Sequence, residues 1–246
     1  MFDTYAQIFE KRASEYHFAM KQWPLARAAE FQSVIEPLAN VPDGLVCDMP
    51  SGGGYLAEYL RPGLGYVAID PASGFFVEWE QPRQRLTAEI TSVPLSDGTV
   101  DYIVSLAGLH HEPNLFAVFA EMRRLVKRGG RVIIEDAAVD TPPARWLNGF
   151  VAANNPMGHD GSFLDEKTAG LLQSAGFAVL SEGPVRIPWV FDDFDAAGNF
   201  GRHLFGVTSL DPPAVAEAMA REIGFDLVGG RPHLRWELHR FVCEAV

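Results

Sequence analysis

Only two cysteines occur among 246 residues, Cys47 and Cys243. Each lies in an apolar, strand-like run, so both are expected as buried thiols in a reducing compartment, without a disulfide framework. Long hydrophobic runs are missing: no stretch approaches the ~20 apolar residues that a membrane-spanning helix needs. The first residues, MFDTYAQIFEKRASEYHF, are charged and lack the apolar segment of a secretory signal, so a cytoplasmic protein is expected. Basic residues are scarce, 20 Lys and Arg against 32 Asp and Glu, for a formal net charge of -12. A surface that acidic repels nucleic acid and anionic lipid, and neither is expected as a partner. Runs of like charge, low-complexity tracts and internal repeats are absent too, which sets aside disordered tails and solenoids. What is present is apolar material, 48% hydrophobic with 17 Phe and 5 Trp, enough for one large domain with a full core.

The apolar spacing organises the chain as a single domain in four stretches. Residues 1–43 read as two helices, with Pro24 opening the second: Trp23, Leu25, Ala28, Phe31, Val34, Ile35 and Leu38 recur at steps of three and four. From residue 44 short strands alternate with helical patterns, which predicts βαβ units and a mostly parallel sheet. The strands fall at 45–49, 66–70, 85–89, 100–106 and 131–136. A helix capped by Asn114 carries Arg123, Arg124, Lys127 and Arg128 at its negative end and stops at Gly129-Gly130. Another runs over 165–175 with Gly176 as its cap, followed by a strand. The last segment, LRWELHRFVCEAV, alternates as a strand should. The expected fold is thus α/β, a Rossmann-like doubly wound seven-stranded sheet with an antiparallel last strand. Residues 44–187 and 235–246 form its core, and 188–234 are a helical insertion long enough to act as a lid.

The stretch DMPSGGG, residues 48–54, sits between an apolar strand and YLAEYL. Three glycines there allow the backbone to approach a ligand, with helix N–H groups directed at it. Gly52-x-Gly54-x-x-Ala57 also satisfies a dinucleotide fingerprint, with Asp70 at a suitable distance for a ribose, and this reading implies a nicotinamide-dependent oxidoreductase. Asp48 separates the two ligand classes: a carboxylate at the turn repels a pyrophosphate but attracts a sulfonium and an ammonium.

On these residues the chain resembles the core of class I S-adenosylmethionine-dependent methyltransferases, in their small-molecule branch, the type 11 group. Their first motif is roughly D-x-G-x-G-x-G, and Pro50 replaces its first glycine here, which restricts φ at that position. The resemblance implies S-adenosylmethionine as cofactor, with Asp48, Pro50, Ser51, Gly52 and Gly54 around it and Asp70 and Pro71 at its ribose. EITSVPLSDGTVD matches the family's adenine segment and puts Glu89 and Ile90 beside the ring; the usual acid there is Asp. SLAGLHHEP matches the end of the fourth strand, with Ser105, Leu106 and Ala107 along the methionine moiety.

Methyl transfer from a sulfonium is an in-line displacement that needs alignment, dryness and a base only when the acceptor carries a proton. Candidate bases are His110 and His111 after the fourth strand and His159, next to Asp160, after the fifth; Tyr16, His17 and Trp23 reach the mouth if the N-terminal helices cover it. No metal is expected. Glu135, Asp136 and Asp140 lie near the fifth strand, but the fourth ends in Ala107-Gly108 without the partner acid that a magnesium site of the catechol type requires. Aromatic residues gather after the fifth strand: Trp146, Phe150, Phe163, Trp189, Phe191, Phe194, Phe200 and Phe205. With Arg202 and His203 in the insertion, they suggest a cover over an apolar or aromatic small molecule. O-methylation in specialised metabolism is the expected activity, and a non-catalytic cofactor-binding subunit the alternative. A homodimer is compatible with the helical segments.

Overall fold

The computed structural model describes residues 5–77 and 84–246. Ten strands and eight α-helices follow in order. They begin with α1 (Tyr5–Gln22), α2 (Ala28–Ile35), β1 (Gly44–Asp48), β2 (Leu64–Asp70), β3 (Gln84–Thr87), β4 (Val100–Leu106), α3 (Leu115–Leu125) and β5 (Val126–Asp136). A broken helix then comprises α4 (Pro142–Arg145), a wide π turn (Trp146–Val151) and α5 (Ala152–Asn154). After it come α6 (Thr168–Ser174), β6 (Phe177–Arg186), β7 (Trp189–Val190), α7 (Phe194–Phe205), α8 (Pro212–Glu222), β8 (Phe225–Val228), β9 (Arg231–Leu234) and β10 (Glu237–Ala245).

Seven strands form one sheet in the order β3-β2-β1-β4-β5-β10-β6. All of its pairings through β5 are parallel, and β10 runs antiparallel to both β5 and β6. The strands bury alternate side chains on opposite faces, as a sheet covered on both sides requires. Val46, Ala68, Val104 and Ile133 enter one core with α1, α2, α7 and α8. Cys47, Val67, Ile69, Ile103, Val132 and Ile134 enter the other, with α3 and α6. Both cysteines are buried free thiols, and burial pushes the Cys47 thiol up. Among the described residues no helix is long and apolar enough to cross a membrane.

The seven-stranded sheet and its antiparallel tenth strand agree with the sequence. Three local expectations change. The helix at 114 ends at Leu125 rather than at the glycine pair, because Val126 is buried and pairs with Val100 across the sheet. Pro24 lies in a turn, and α2 starts four residues later, at Ala28. The segment after the glycine turn, Tyr55–Tyr59, forms only a short 3-10 turn, ended by the extended residue before Arg61-Pro62. The insertion also holds an element the helical pattern had hidden, a small β7-β9-β8 sheet whose hairpin turns at Gly229 and Gly230, both at positive φ.

Candidate functional site

A cavity opens at the carboxyl ends of β1 and β4, the position where open α/β sheets bind ligands. The sheet supplies its floor, α1 its roof through Tyr5, Phe9, Arg12 and Tyr16, and the insertion one wall through Trp189, Leu204 and Phe205. Asp48, Pro50, Ser51, Gly52, Leu106 and Ala107 line it, together with His110, His111 and His159.

The glycine turn hangs between two strands. Met49 N–H donates to Val104 O at 2.9 Å and Ser51 N–H to Ile69 O at 2.9 Å. Gly52 and Gly54 have φ of 51° and 70°, left-handed values that side chains resist. Pro50 fits because the residue across from it has no side chain: a Cβ on Gly108 would lie 2.4 Å from the Pro50 ring. Because the following turn is too short for a helix dipole, nothing there concentrates positive potential for a diphosphate. The site instead presents carboxylates.

Asp48 is buried and accepts from the Tyr66 hydroxyl at 2.6 Å. Asp70 is buried as well and shapes the turn: it accepts from Gly52 N–H at 2.7 Å, Ala72 N–H at 2.8 Å and the Tyr5 hydroxyl at 3.0 Å. Burial pushes both acids up to about 7, and their mutual repulsion adds to the shift at Asp48. A cationic ligand favours the ionised carboxylates, so affinity for S-adenosylmethionine is expected to weaken as pH falls below about 7, by about tenfold per unit for one proton. The protein alone responds in the opposite sense. Stability declines as pH rises from the ordinary carboxylate range toward about 7 and is level above it, because folding holds these protons more tightly than the unfolded chain does. Calorimetric titrations across this window check the first statement, and a flat dissociation constant contradicts it.

Tyr5 occupies the Asp70 oxygen that the methyltransferase resemblance assigns to the ribose hydroxyls. Tyr5→Phe removes this competitor and is expected to tighten binding of S-adenosylhomocysteine by about 0.5–1.5 kcal/mol. Weaker binding by the variant would show that the phenol contacts the ligand rather than displacing it.

The other residues expected around the cofactor, Ala107 apart, lie outside the cavity wall. Gly54 caps the short turn and Pro71 follows β2 half-buried; Glu89 is exposed and Ile90 is packed in the second core. Ser105 is buried, with a hydroxyl that has no hydrogen-bond partner. Ala107 stands at φ 50° at the end of β4, an uncommon conformation for alanine, and points the chain toward the histidines.

The three histidines converge. Ring centroids are 4.3 Å apart for His110 and His111, 5.4 Å for His110 and His159, and 5.1 Å for His111 and His159. His110 Nδ1 lies 2.6 Å from Asp136 Oδ1, while His159 Nδ1 lies 2.8 Å from Asn148 Oδ1. Neighbouring in sequence, Asp160 makes no such pair; the partner comes from the π turn eleven residues back. Burial, then the neighbouring imidazoles, lowers His111 well below the ordinary range, and His159 falls to about 3 chiefly through burial. Both rings are neutral at physiological pH.

Other candidates take structural positions. His17 bridges Tyr55 and the Phe75 carbonyl at 2.6 and 3.0 Å. Trp23 and His203 stack with one another, and Arg202 bonds the Leu210 carbonyl, so neither Arg202 nor His203 lines the cavity. The cationic group that does reach the histidines is Arg12 on α1, which the sequence pattern did not single out. Glu135 is committed to Arg240 and Ser33, and Asp136 to His110, so these acids do not gather as a magnesium set. Of the aromatic residues, Trp189 and Phe205 face the cavity, while Trp146, Phe191 and Phe200 are core.

Residues 47–134 match the family model of a methyltransferase domain. That stretch is a methyltransferase domain, and it lies on the strands that carry the glycine turn. Two relatives are named demethylmenaquinone methyltransferase. One, from Renibacterium salmoninarum, is 24% identical over 54% of this chain and 59% of its own length. The other, from Beutenbergia cavernae, is 28% identical over 61% of this chain and 68% of its own. The chain therefore spans less than two thirds of the first of these relatives. In fold it is similar to the Burkholderia thailandensis 1,6-didemethyltoxoflavin-N1-methyltransferase, solved with its acceptor and S-adenosylhomocysteine (TM-score 0.55, 14% identity, 97% of this chain and 87% of that one). A domain of this kind implies S-adenosylmethionine as the methyl donor. The methyltransferase frame thereby prefers the sulfonium reading of the glycine turn over a dinucleotide.

Proposed function

We propose that this methyltransferase moves the methyl group of S-adenosylmethionine onto a small, largely apolar acceptor carrying an ionisable hydroxyl, with oxygen as the nucleophile. The observation that carries the reading is a single cavity lined both by the acid-bearing glycine turn, Asp48 and residues 50–52, and by three imidazoles, His110, His111 and His159. Asp48 and Asp70 offset the positive charge of the donor. Leu147, Val151, Leu204 and Phe205 supply an apolar wall that keeps water from the reacting centre. A neutral imidazole facing the acceptor can take the hydroxyl proton, and the alignment of oxygen, methyl and sulfur contributes the rest. The relatives named demethylmenaquinone methyltransferase support a largely apolar acceptor of the quinone class.

Incubation with S-adenosylmethionine and a panel of phenols and quinols, followed by mass spectrometry, tests the reading. A methyl ether is expected. Methylation on carbon would correct the nucleophile, and binding of NADH without binding of S-adenosylhomocysteine would overturn the whole. Cofactor binding with no product from any acceptor would favour a binding subunit.

A further inference from the structure

His110, His111 and His159 each offer one ring nitrogen within 4.8 Å of the other two. For two of the rings the surroundings decide which nitrogen that is. Asn148 donates through Nδ2 to the Gly161 carbonyl at 2.9 Å and accepts at Oδ1 from Gly161 N–H at 2.7 Å, so the direction of its amide is set. The His159 Nδ1 facing that oxygen therefore carries the hydrogen. Its Nε2 is left with a lone pair, and this atom is buried without a hydrogen-bond partner.

His110 follows the same logic. The Asp136 carboxylate already accepts from the backbone N–H groups of Leu109, His110 and Ala137 at 2.8, 3.2 and 2.7 Å. It can only accept from His110 Nδ1 as well, which leaves His110 Nε2 as an acceptor. One buried lone pair on His159, and the acceptor nitrogen of a neutral His110, thus meet a third imidazole with no hydrogen fixed between them. Leaving such groups unsatisfied is costly, and a shared cation satisfies them at once.

We infer that His110, His111 and His159 form a binding site for a divalent transition-metal ion of the zinc type. Imidazole nitrogens suit zinc, cobalt, nickel and iron, and they disfavour magnesium and calcium. Three of them leave a coordination position open. Asp136 and Asn148 are the outer partners that metal-binding histidines ordinarily have, holding the rings by the nitrogen turned away from the ion. Ligands at about 2.0–2.1 Å in a tetrahedron stand roughly 3.3 Å apart, so side-chain rotation has to close a gap of about 1.5 Å at most.

The open position faces the cavity that His111 shares with Arg12. Arg12 donates through Nη2 to the carbonyls of His203 and Leu204, and its buried Nε has no partner. A guanidinium beside a dication selects an anionic fourth ligand, namely the deprotonated hydroxyl of the acceptor. This part rests on the proposed function for its acceptor and, with the imidazole lone pairs on the ion, replaces the imidazole base named there; the ion itself does not rest on it. The coordinated hydroxyl gives its proton to water. Its oxygen pair then forms the bond to methyl while the carbon–sulfur pair stays on sulfur, giving S-adenosylhomocysteine without any oxidant.

Chelator-treated full-length protein is titrated with Co²⁺, read by visible absorption and metal content, with Zn²⁺ as competitor and S-adenosylhomocysteine binding measured in parallel. The expected result is one Co²⁺ per chain with the absorption of a four- or five-coordinate ion, displaced by Zn²⁺. His159→Ala and Asn148→Ala should each weaken metal binding by about 10–100-fold, with cofactor binding unchanged as proof of folding. Protein that binds S-adenosylhomocysteine but takes up no more Co²⁺ than a variant lacking all three imidazoles overturns the metal site and leaves the methyltransferase reading intact. Metal uptake by protein that does not bind S-adenosylhomocysteine supports the site and counts against that reading.

Discussion

Replacement of His111 by alanine is expected to lower methyl transfer by roughly 10²–10⁴-fold while S-adenosylhomocysteine binding stays at the wild-type level. His111 is the imidazole nearest the roof of the cavity. Its ring is 5.2 Å from Tyr5, 6.1 Å from Phe9 and 5.1 Å from His159. It follows Gly108 in the short turn that leaves β4, so its backbone is carried by the sheet rather than by a mobile loop. The donor-side acids belong to β1 and β2, on other strands. Removing this ring therefore takes away an acceptor-side group without disturbing Asp48 or Asp70. Steady-state kinetics with the identified acceptor separates two outcomes. A fall in kcat supports a part in the reacting state, and a rise in KM alone would reduce His111 to holding the acceptor. Turnover within about threefold of wild type would remove His111 from the chemistry.

The second large effect concerns stability. Arg27→Met is expected to cost about 3–5 kcal/mol in urea denaturation. Arg27 and Glu30 are both buried, and the guanidinium donates twice to the carboxylate, at 2.7 Å through Nε and 2.7 Å through Nη2. Its third nitrogen donates to the Tyr16 hydroxyl at 2.8 Å, while Glu30 also accepts from Trp189 Nε1 at 2.7 Å. One ion pair thus joins α1, α2 and the insertion beneath the cavity. Methionine leaves Glu30 buried and unpaired, and that desolvated charge produces the penalty. The double change Arg27→Met with Glu30→Leu removes both charges and should recover most of the loss. A single-variant cost below about 1 kcal/mol would mean that water reaches the carboxylate.

Much of this architecture could be read from residue order. The strand at 100–106 coincides with β4, and the alternation in the last segment marks β10. Asn114 caps its helix through its side-chain oxygen as expected, and in the structure Asp193 and Asp211 do the same for α7 and α8. What escaped the reading shares one cause, dependence on a neighbour distant in the chain. Val126 reads as helix until the strand opposite it is known. Arg12 reads as one of several surface charges on α1 until the roof closes over β4. Asp136 and Asn148 carry no signal that they will orient His110 and His159, because those pairs span 26 and 11 positions. The histidines themselves were visible singly. Their convergence was not, since residues 110 and 159 meet only after β5 and the broken helix bring the loop back.

The contact between Pro50 and Gly108 bears on how such a family is recognised. Judged along the chain, a proline in place of a motif glycine looks like a defect. Judged across the sheet, the missing methylene space reappears on the adjacent strand, where only a hydrogen faces the pyrrolidine ring. The two positions make up one steric unit split between distant stretches of sequence. Tolerance at either is conditional on the other, so a profile that scores each column separately undervalues this chain at its glycine turn.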